Sequence, residues 1–361
     1  MRTRTLPVVA ALVTGLVMVP LAACGDDDAA GSDSSFTVGL LLPNRVTPRW
    51  EHADKPLIEK RLKELCDDCT MMYANAENDA ARQREQMSSM ITKGADVLIL
   101  DPADSKALRS SIQEARRSGV PVVAYDRLAE GPISGFVSFD GAKVGRMQGE
   151  ALLKAMANRG NGSTVVMMNG DPSSANAVWF RQGVMSVLSG RATIARSYDT
   201  AGWSPENAHA NMSAAIASLG ADRISGVVAA NDAIASGVIS AFKKAGVTDL
   251  PPITGQDADL EAVRRIVGGE QYMTVYKPFE KEAAAAAAMV VALGRGEDAE
   301  DVSTTSIDSP TDEDIPSILL TPILVTAADM EKTVIHDGVF TVEQICIPKL
   351  RAACVRIGLA G

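Results

Sequence analysis

Polar side chains capable of binding chemistry recur at the ends of apolar runs in this sequence. Asp101 follows Val97-Leu98-Ile99-Leu100, and Tyr125-Asp126-Arg127 closes a second run. Asn169-Gly170-Asp171, Asn231-Asp232 and Gln256-Asp257 hold the same position after later ones. One such residue would be a helix N-cap, the plain reading of Asp171 and Asp232; a repeated set points to a polar pocket. Carboxylates and amides accept from and donate to neighbouring hydroxyls, whereas Arg and Lys only donate. Flat rings cover C–H faces, and in a chain with 4% aromatics Trp50 and Trp179-Phe180 stand near these ends. Vicinal hydroxyls beside an apolar face describe a sugar. The sequence shows no Gly-x-Ser-x-Gly elbow, Gly-Lys-Ser/Thr phosphate loop or Gly-x-Gly-x-x-Gly fingerprint. Asp257 and Asp259, two residues apart at a helix start, suit a cap or a ligand hydrogen bond better than paired acid–base catalysis.

The elements that position these groups alternate. Strands are expected at 36–42, 97–100, 120–125, 163–168, 193–198, 224–229 and 251–255. Helices are expected near 55–65, 104–117, 141–158, 176–189, 205–219 and 233–245. Continuous apolar strands separated by helices mean parallel sheets covered on both faces. In open sheets of this kind ligands bind where the strands end. The expected fold is α/β, with two doubly wound, Rossmann-like lobes. A (β/α)8 barrel would keep its rhythm to the end, but after about residue 300 the chain turns irregular and proline-punctuated.

Composition narrows the function classes. The 361 residues are 46% hydrophobic and 22% charged with a net charge of −10, and no long basic run offers a nucleic-acid surface. Residues 1–23 read as an export signal: Arg2 and Arg4, an apolar region, then Leu21-Ala22-Ala23 before Cys24. The arrangement resembles a bacterial lipobox, in which Cys24 becomes the lipid-bearing N-terminus. Residues 24–35, rich in Asp, Gly and Ser, then form a flexible tether. Four further cysteines admit three pairings, of which the local ones, Cys66–Cys69 and Cys346–Cys354, are expected. Asp67 and Asp68 oppose a reactive thiolate between Cys66 and Cys69, and three scattered histidines do not complete a zinc site. No metal or cofactor is expected.

Several motifs in order carry a family resemblance. They are Arg49-Trp50, Ala124-Tyr125-Asp126-Arg127, Ser138-Phe139-Asp140 with Lys143-Val144-Gly145, Gly202-Trp203-Ser204-Pro205-Glu206-Asn207-Ala208, and Asn231-Asp232. The most specific are Gly255-Gln256-Asp257-Ala258-Asp259-Leu260 and Met273-Thr274-Val275-Tyr276-Lys277-Pro278, with Ile315 to Pro322 following. From about Phe36 to Phe340 the chain resembles the periplasmic sugar-binding proteins of the D-xylose-binding kind, which serve ABC transporters.

The resemblance implies the type I periplasmic-binding-protein fold with a three-crossover hinge near 136–139, 276–279 and 308–312. Lobe 1 would hold 36–138 and 278–310, and lobe 2 would hold 139–277 and 311–361. Trp50 and Phe180 would sandwich the ring. Arg49, Asp126, Arg127, Asn176, Arg181, Asn231, Asp257 and Lys277 would hydrogen-bond its hydroxyls. The xylose binders carry Asp-Asn-Asn where this chain has Ser174-Ala175-Asn176, one carboxylate fewer. The resemblance further implies a binding subunit rather than an enzyme, anchored by lipid to the outer face of the cytoplasmic membrane. Its partners would be a monosaccharide such as xylose, glucose or galactose, and permease subunits with a cytoplasmic ATPase. A sugar sensor for a membrane receptor, or an exported sugar-modifying enzyme, are the alternatives. A DNA-binding repressor would need a basic helix-turn-helix at the N-terminus, where this chain has the lipobox-like segment.

Overall fold

The computed structural model describes residues 35–159 and 163–359. The signal segment 1–23, Cys24 and the tether up to Ser34 lie outside the described residues. The first lobe opens with β1 (Thr37–Leu42), α1 (Lys55–Leu65), β2 (Thr70–Asn75), α2 (Ala80–Thr92) and β3 (Val97–Leu100). It continues through α3 (Arg109–Arg117), β4 (Val122–Tyr125) and β5 (Gly135–Phe139). The second lobe holds α4 (Gly141–Arg159), β6 (Thr164–Met168), α5 (Ala175–Leu188), β7 (Thr193–Tyr198), α6 (Pro205–Leu219), β8 (Gly226–Ala229), α7 (Asp232–Lys244), α8 (Leu260–Gly268) and β9 (Thr274–Tyr276). The chain then returns with α9 (Phe279–Gly294), β10 (Thr305–Ser309) and β11 (Asp312–Leu320), and crosses back to β12 (Ile323–Val325).

The larger sheet has the order β10-β11-β5-β4-β3-β1-β2 and is parallel except for the β10–β11 hairpin. Both of its faces are covered, which explains the unbroken apolar strands. In β1, Val38, Leu40 and Leu42 join the core under α1 and α9, while Leu41 joins that under α2 and α3. The second lobe repeats the arrangement in the parallel sheet β7-β6-β8. There Val166 and Met168 face one core and Val165 and Met167 the other. Beside it, β9 and β12 pair antiparallel. The C-terminal segment packs on α8 around Met330, Val334, Ile345 and Cys354. The cysteines pair as Cys66–Cys69 and Cys346–Cys354. No helix among the described residues is long and apolar enough to cross a membrane.

Three expectations are corrected. Residues 251–255 are not a strand: Pro251 and Pro252 lack the N–H a ladder needs, and only Ile253 bridges, to Val227. The third crossover lies at Thr321-Pro322 rather than 308–312. Residues 311–320 therefore belong with the first lobe, because β11 pairs parallel with β5 from Ser317 to Leu320. The stretch after residue 300, expected to be irregular, begins with the hairpin β10–β11.

Candidate functional site

The strand ends of both lobes converge on one small cavity. Asp126 leaves β4 with φ 55°, a left-handed conformation that Asp tolerates better than most side chains. Its backbone is pinned on three sides: its N–H donates to Val137 O at 2.8 Å, and its carbonyl accepts from Ser138 Oγ at 2.6 Å and Asn176 Nδ2 at 3.1 Å. The same Asn176 amide reaches Asp126 Oδ2 at 3.1 Å, so the residue ties the two lobes together. Asp257 sits at φ 97°, with its N–H on Val275 O at 2.9 Å. Two buried carboxylates held in sparsely populated backbone conformations fit a pre-organised site.

Asn231 performs two tasks. Its Oδ1 caps α7 by accepting from Ile234 N–H, while its Nδ2 lies 3.5 Å from Asp257 Oδ2. Asp232 is therefore not the cap, contrary to expectation; it accepts from Asp259 N–H, Gln271 Nε2 and Thr274 Oγ1 behind the cavity. Asp171 is not a helix cap either. It binds Ser173 and the Gly202 N–H, fixing the turn that carries Trp203. At the start of α8, Asp259 takes the cap position with no side-chain cap bond.

Three rings line the cavity: Trp50 from the first lobe, and Phe180 and Trp203 from the second. Phe180 and Trp203 meet edge to face at 6.4 Å and 67°. Gly170 leaves room for the indole, since a Cβ there would lie 2.1 Å from Trp203 Cη2. A Cβ on Gly183 would come 2.1 Å from Ala142 O, so its absence lets α5 approach α4 closely and sets the face that presents Asn176 and Phe180. Trp50 also belongs to the core under α1. Trp179 packs instead against Phe136, at 6.1 Å.

The charges are paired across the cavity. Lys277 Nζ lies 3.3 Å from Asp126 Oδ1 and 3.5 Å from Asp257 Oδ1. Burial alone would raise the Asp126 carboxyl, but Lys277, Arg49 and Arg127 hold it below the usual carboxylate range. Burial would lower Lys277, and Asp126 and Asp257 more than offset this, leaving it raised. Arg127 Nε lies 3.4 Å from the fully buried Asp101, and the guanidinium stands 5.6 Å and 5.7 Å from the Trp50 and Trp203 rings. Burial pushes the Asp101 carboxyl well up despite Arg127.

Of the expected sugar contacts, Trp50, Asp126, Arg127, Asn176, Phe180, Asn231, Asp257 and Lys277 line the cavity. Two do not. Arg181 is exposed: one residue beyond Phe180 on α5, the helical turn rotates it off the inward face. Arg49 is buried behind the wall, its donors held by Asp54, Asp126 and Glu282. Thr47, Trp203 and Gln256 also line the cavity and were not singled out as contacts. Trp203 and Gln256 carried a signal, since each stands inside a matching motif, whereas Thr47 carried none. Ser174, which replaces a carboxylate of the xylose binders, is buried at the start of α5, its Oγ without a hydrogen-bond partner among the described residues. Asn176 Oδ1, Gln256 Oε1, Trp50 Nε1 and Trp203 Nε1, all on lining residues, are likewise buried and unpartnered. Among the described residues no group of three or more acids, histidines or cysteines is placed to hold a metal.

Residues 38–298 match the model of the periplasmic binding protein domain family. The chain is 35% identical over 317 residues to the D-xylose-binding periplasmic protein of Escherichia coli, covering 86% of this chain and 93% of that one. It is 30% identical over 329 residues to the multiple sugar-binding periplasmic receptor ChvE of Rhizobium radiobacter, covering 86% and 92%. Among solved structures, an ABC transporter solute-binding protein from Clostridium phytofermentans with bound β-D-glucose superposes with a TM-score of 0.77 at 29% identity, covering 86% of this chain and 99% of that one. These relatives are binding proteins rather than enzymes, and the two lobes that here close on one polar, ring-lined cavity place the chain in their company: it belongs to the periplasmic binding protein family.

Proposed function

We propose that this chain is the monosaccharide-binding subunit of an ABC sugar importer, taking xylose or a related pentose or hexose. The observation that carries the reading is the cavity itself. Carboxylates, amides and two cations stand in its wall beside three rings, and four lining residues hold buried polar atoms with no hydrogen-bond partner among the described residues. Buried polar groups are costly unless hydrogen-bonded, and a polyhydroxylated ring supplies both donors and acceptors. Two paired carboxylates and two cations among the lining residues suit an uncharged ligand. Because the wall draws on both lobes, a bound sugar contacts both at once, and this differential contact favours the closed arrangement. The similarity to named sugar-binding relatives supports the same reading.

The cell-envelope assignment rests on the sequence. An export signal over 1–23, lipid on Cys24 and a flexible 24–35 tether would hold the protein at the outer face of the cytoplasmic membrane. There it would deliver sugar to permease subunits driven by a cytoplasmic ATPase. A thermal-shift screen across pentoses and hexoses tests the binding reading, since a ligand that binds only the folded state raises the melting temperature by mass action. Fractionation tests the anchor: Cys24→Ser should leave the membrane fraction, and a variant that stays there, with no lipid mass on the wild type, would reject it.

A further inference from the structure

We propose that Glu282 is a positioning residue for this cavity: from the first turn of α9 it holds the Arg49 guanidinium against Asp126, and so orients a carboxylate that faces the ligand. The proposal rests on the sugar reading and goes beyond it, because Glu282 does not line the cavity.

Arg49 is gripped on every side. Its Nε donates to Asp54 Oδ2 at 2.8 Å, one terminal nitrogen donates to Asp54 Oδ1 and to Glu282 Oε2, each at 2.5 Å, and the other donates to Asp126 Oδ1 at 3.1 Å. Four of the five N–H donors of a guanidinium are thereby directed by carboxylates. Asp54 is itself fastened by the Tyr125 hydroxyl. The guanidinium carbon lies 4.3 Å from the ring centres of both Trp50 and Phe279, so it is held between two rings as well.

The position of Glu282 in the chain gives the contact its purpose. Lys277-Pro278 is one of the crossings between lobes, and α9 begins directly after it. Lys277 reaches Asp126 Oδ1 from one side of this crossing; Glu282 reaches the same oxygen from the other side through Arg49. Both ends of one hinge strand thus converge on a single carboxylate in the ligand cavity. A planar fork is what allows one side chain to span three carboxylates, which the point charge of Lys does not do. The second Glu282 oxygen has no hydrogen-bond partner among the described residues. Burial pushes this carboxyl well above its usual range, Arg49 opposes, and Asp126 and Asp54 add to the push. Its service to Arg49 is therefore that of a hydrogen-bond acceptor, which an amide can also supply.

The test measures the dissociation constant for the best-bound sugar in calorimetry, together with the melting temperature, for the wild type, Glu282→Gln, Glu282→Ala, Arg49→Lys and the Glu282→Ala/Arg49→Lys pair. Glu282→Gln should bind within about threefold of wild type, while Glu282→Ala should weaken binding about tenfold or more. Once Arg49 is lysine, Glu282→Ala should add no further loss, because its effect passes through the guanidinium. If Glu282→Ala does not fold, Glu282→Asp, which withdraws the carboxyl by one methylene, carries the same expected loss. Wild-type affinity in the alanine or aspartate variant, or an undiminished loss in the Arg49→Lys background, overturns the proposal and leaves the sugar reading standing. A folded wild type that binds no sugar overturns that reading and the proposal with it.

Discussion

Replacing Asp257 separates ligand binding from folding more cleanly than any other change in the cavity. Asp257 is 4% exposed, and among the described residues its side-chain polar partners in the cavity, Asn231 Nδ2 and Lys277 Nζ, both stand at 3.5 Å. An ionised carboxylate has about four acceptor sites, so most of its capacity is left for a ligand. Removing it leaves Lys277 paired with Asp126 at 3.3 Å, and no buried charge is stranded. The backbone complicates the usual alanine test: at φ 97° an alanine adds left-handed strain of roughly 1–2 kcal/mol. Glycine adopts this conformation freely, so Asp257→Gly deletes the carboxylate while relieving the strain. Losing one charge-assisted hydrogen bond costs about 1.5–3 kcal/mol, equivalent to about a tenfold to 150-fold rise in the dissociation constant. The stability change should stay within about 1 kcal/mol, a shift of roughly 2–4 °C in a lobe of ordinary domain size. Calorimetric titration beside a melting curve reads both quantities. A glycine variant with wild-type affinity would refute the assignment of Asp257 to the ligand; a large drop in melting temperature with unchanged affinity of the folded fraction would make Asp257 structural.

Trp50→Ala and Phe180→Ala should each weaken sugar binding, by a few kcal/mol for the indole, whose ring contacts add about 0.5–1.5 kcal/mol to the area buried; two losses of stability without loss of affinity would reject the sandwich. Arg181→Ala should leave affinity within about twofold of wild type, since its side chain is exposed, and a tenfold loss by titration would restore it to the site. Burial pushes Asp232 up to about 7, while Arg265 opposes and Asp257 adds to the rise. The folded state then holds a proton that the unfolded chain releases near pH 4. This contribution is present below about pH 4 and is lost as pH rises through about 7. Melting temperatures across pH 4–8 should show that component flattened in Asp232→Asn, and an unchanged pH profile in the variant would contradict it.

Most of the site was legible because strand ends and motif positions are properties of local sequence. Asp126 and Asn231 follow apolar strands whose ends the parallel sheets bring together; Asp257 follows the run 251–255, which bridges β8 at Ile253, and Lys277 came from the family resemblance. What escaped the reading depends on partners distant in sequence. β2, Thr70–Asn75, is an edge strand of partly buried residues and lacks the unbroken apolar run of β1 and β3. β9 has three residues, too few to show a period. In β11, Pro316 reads as a breaker, yet it faces Ser306 across the hairpin, and pairing with β5 starts only at Ser317. The third crossover, which the family resemblance put near 308–312, therefore falls after β11. Arg181 was misplaced because a family motif gives order along a helix but not which way each side chain turns. Arg49 was read as a ligand contact on the family resemblance, and local sequence gave no sign that Glu282, 233 residues away, claims it.

The central claim is that the cavity between the lobes takes one monosaccharide. Calorimetric titration of the mature protein with xylose, glucose, galactose, arabinose and ribose tests it most directly. The account predicts saturable one-to-one binding of at least one of them, with a dissociation constant of about a micromolar or tighter, near −8 kcal/mol. A folded protein that gives no heat and no melting shift with any of the five would contradict it.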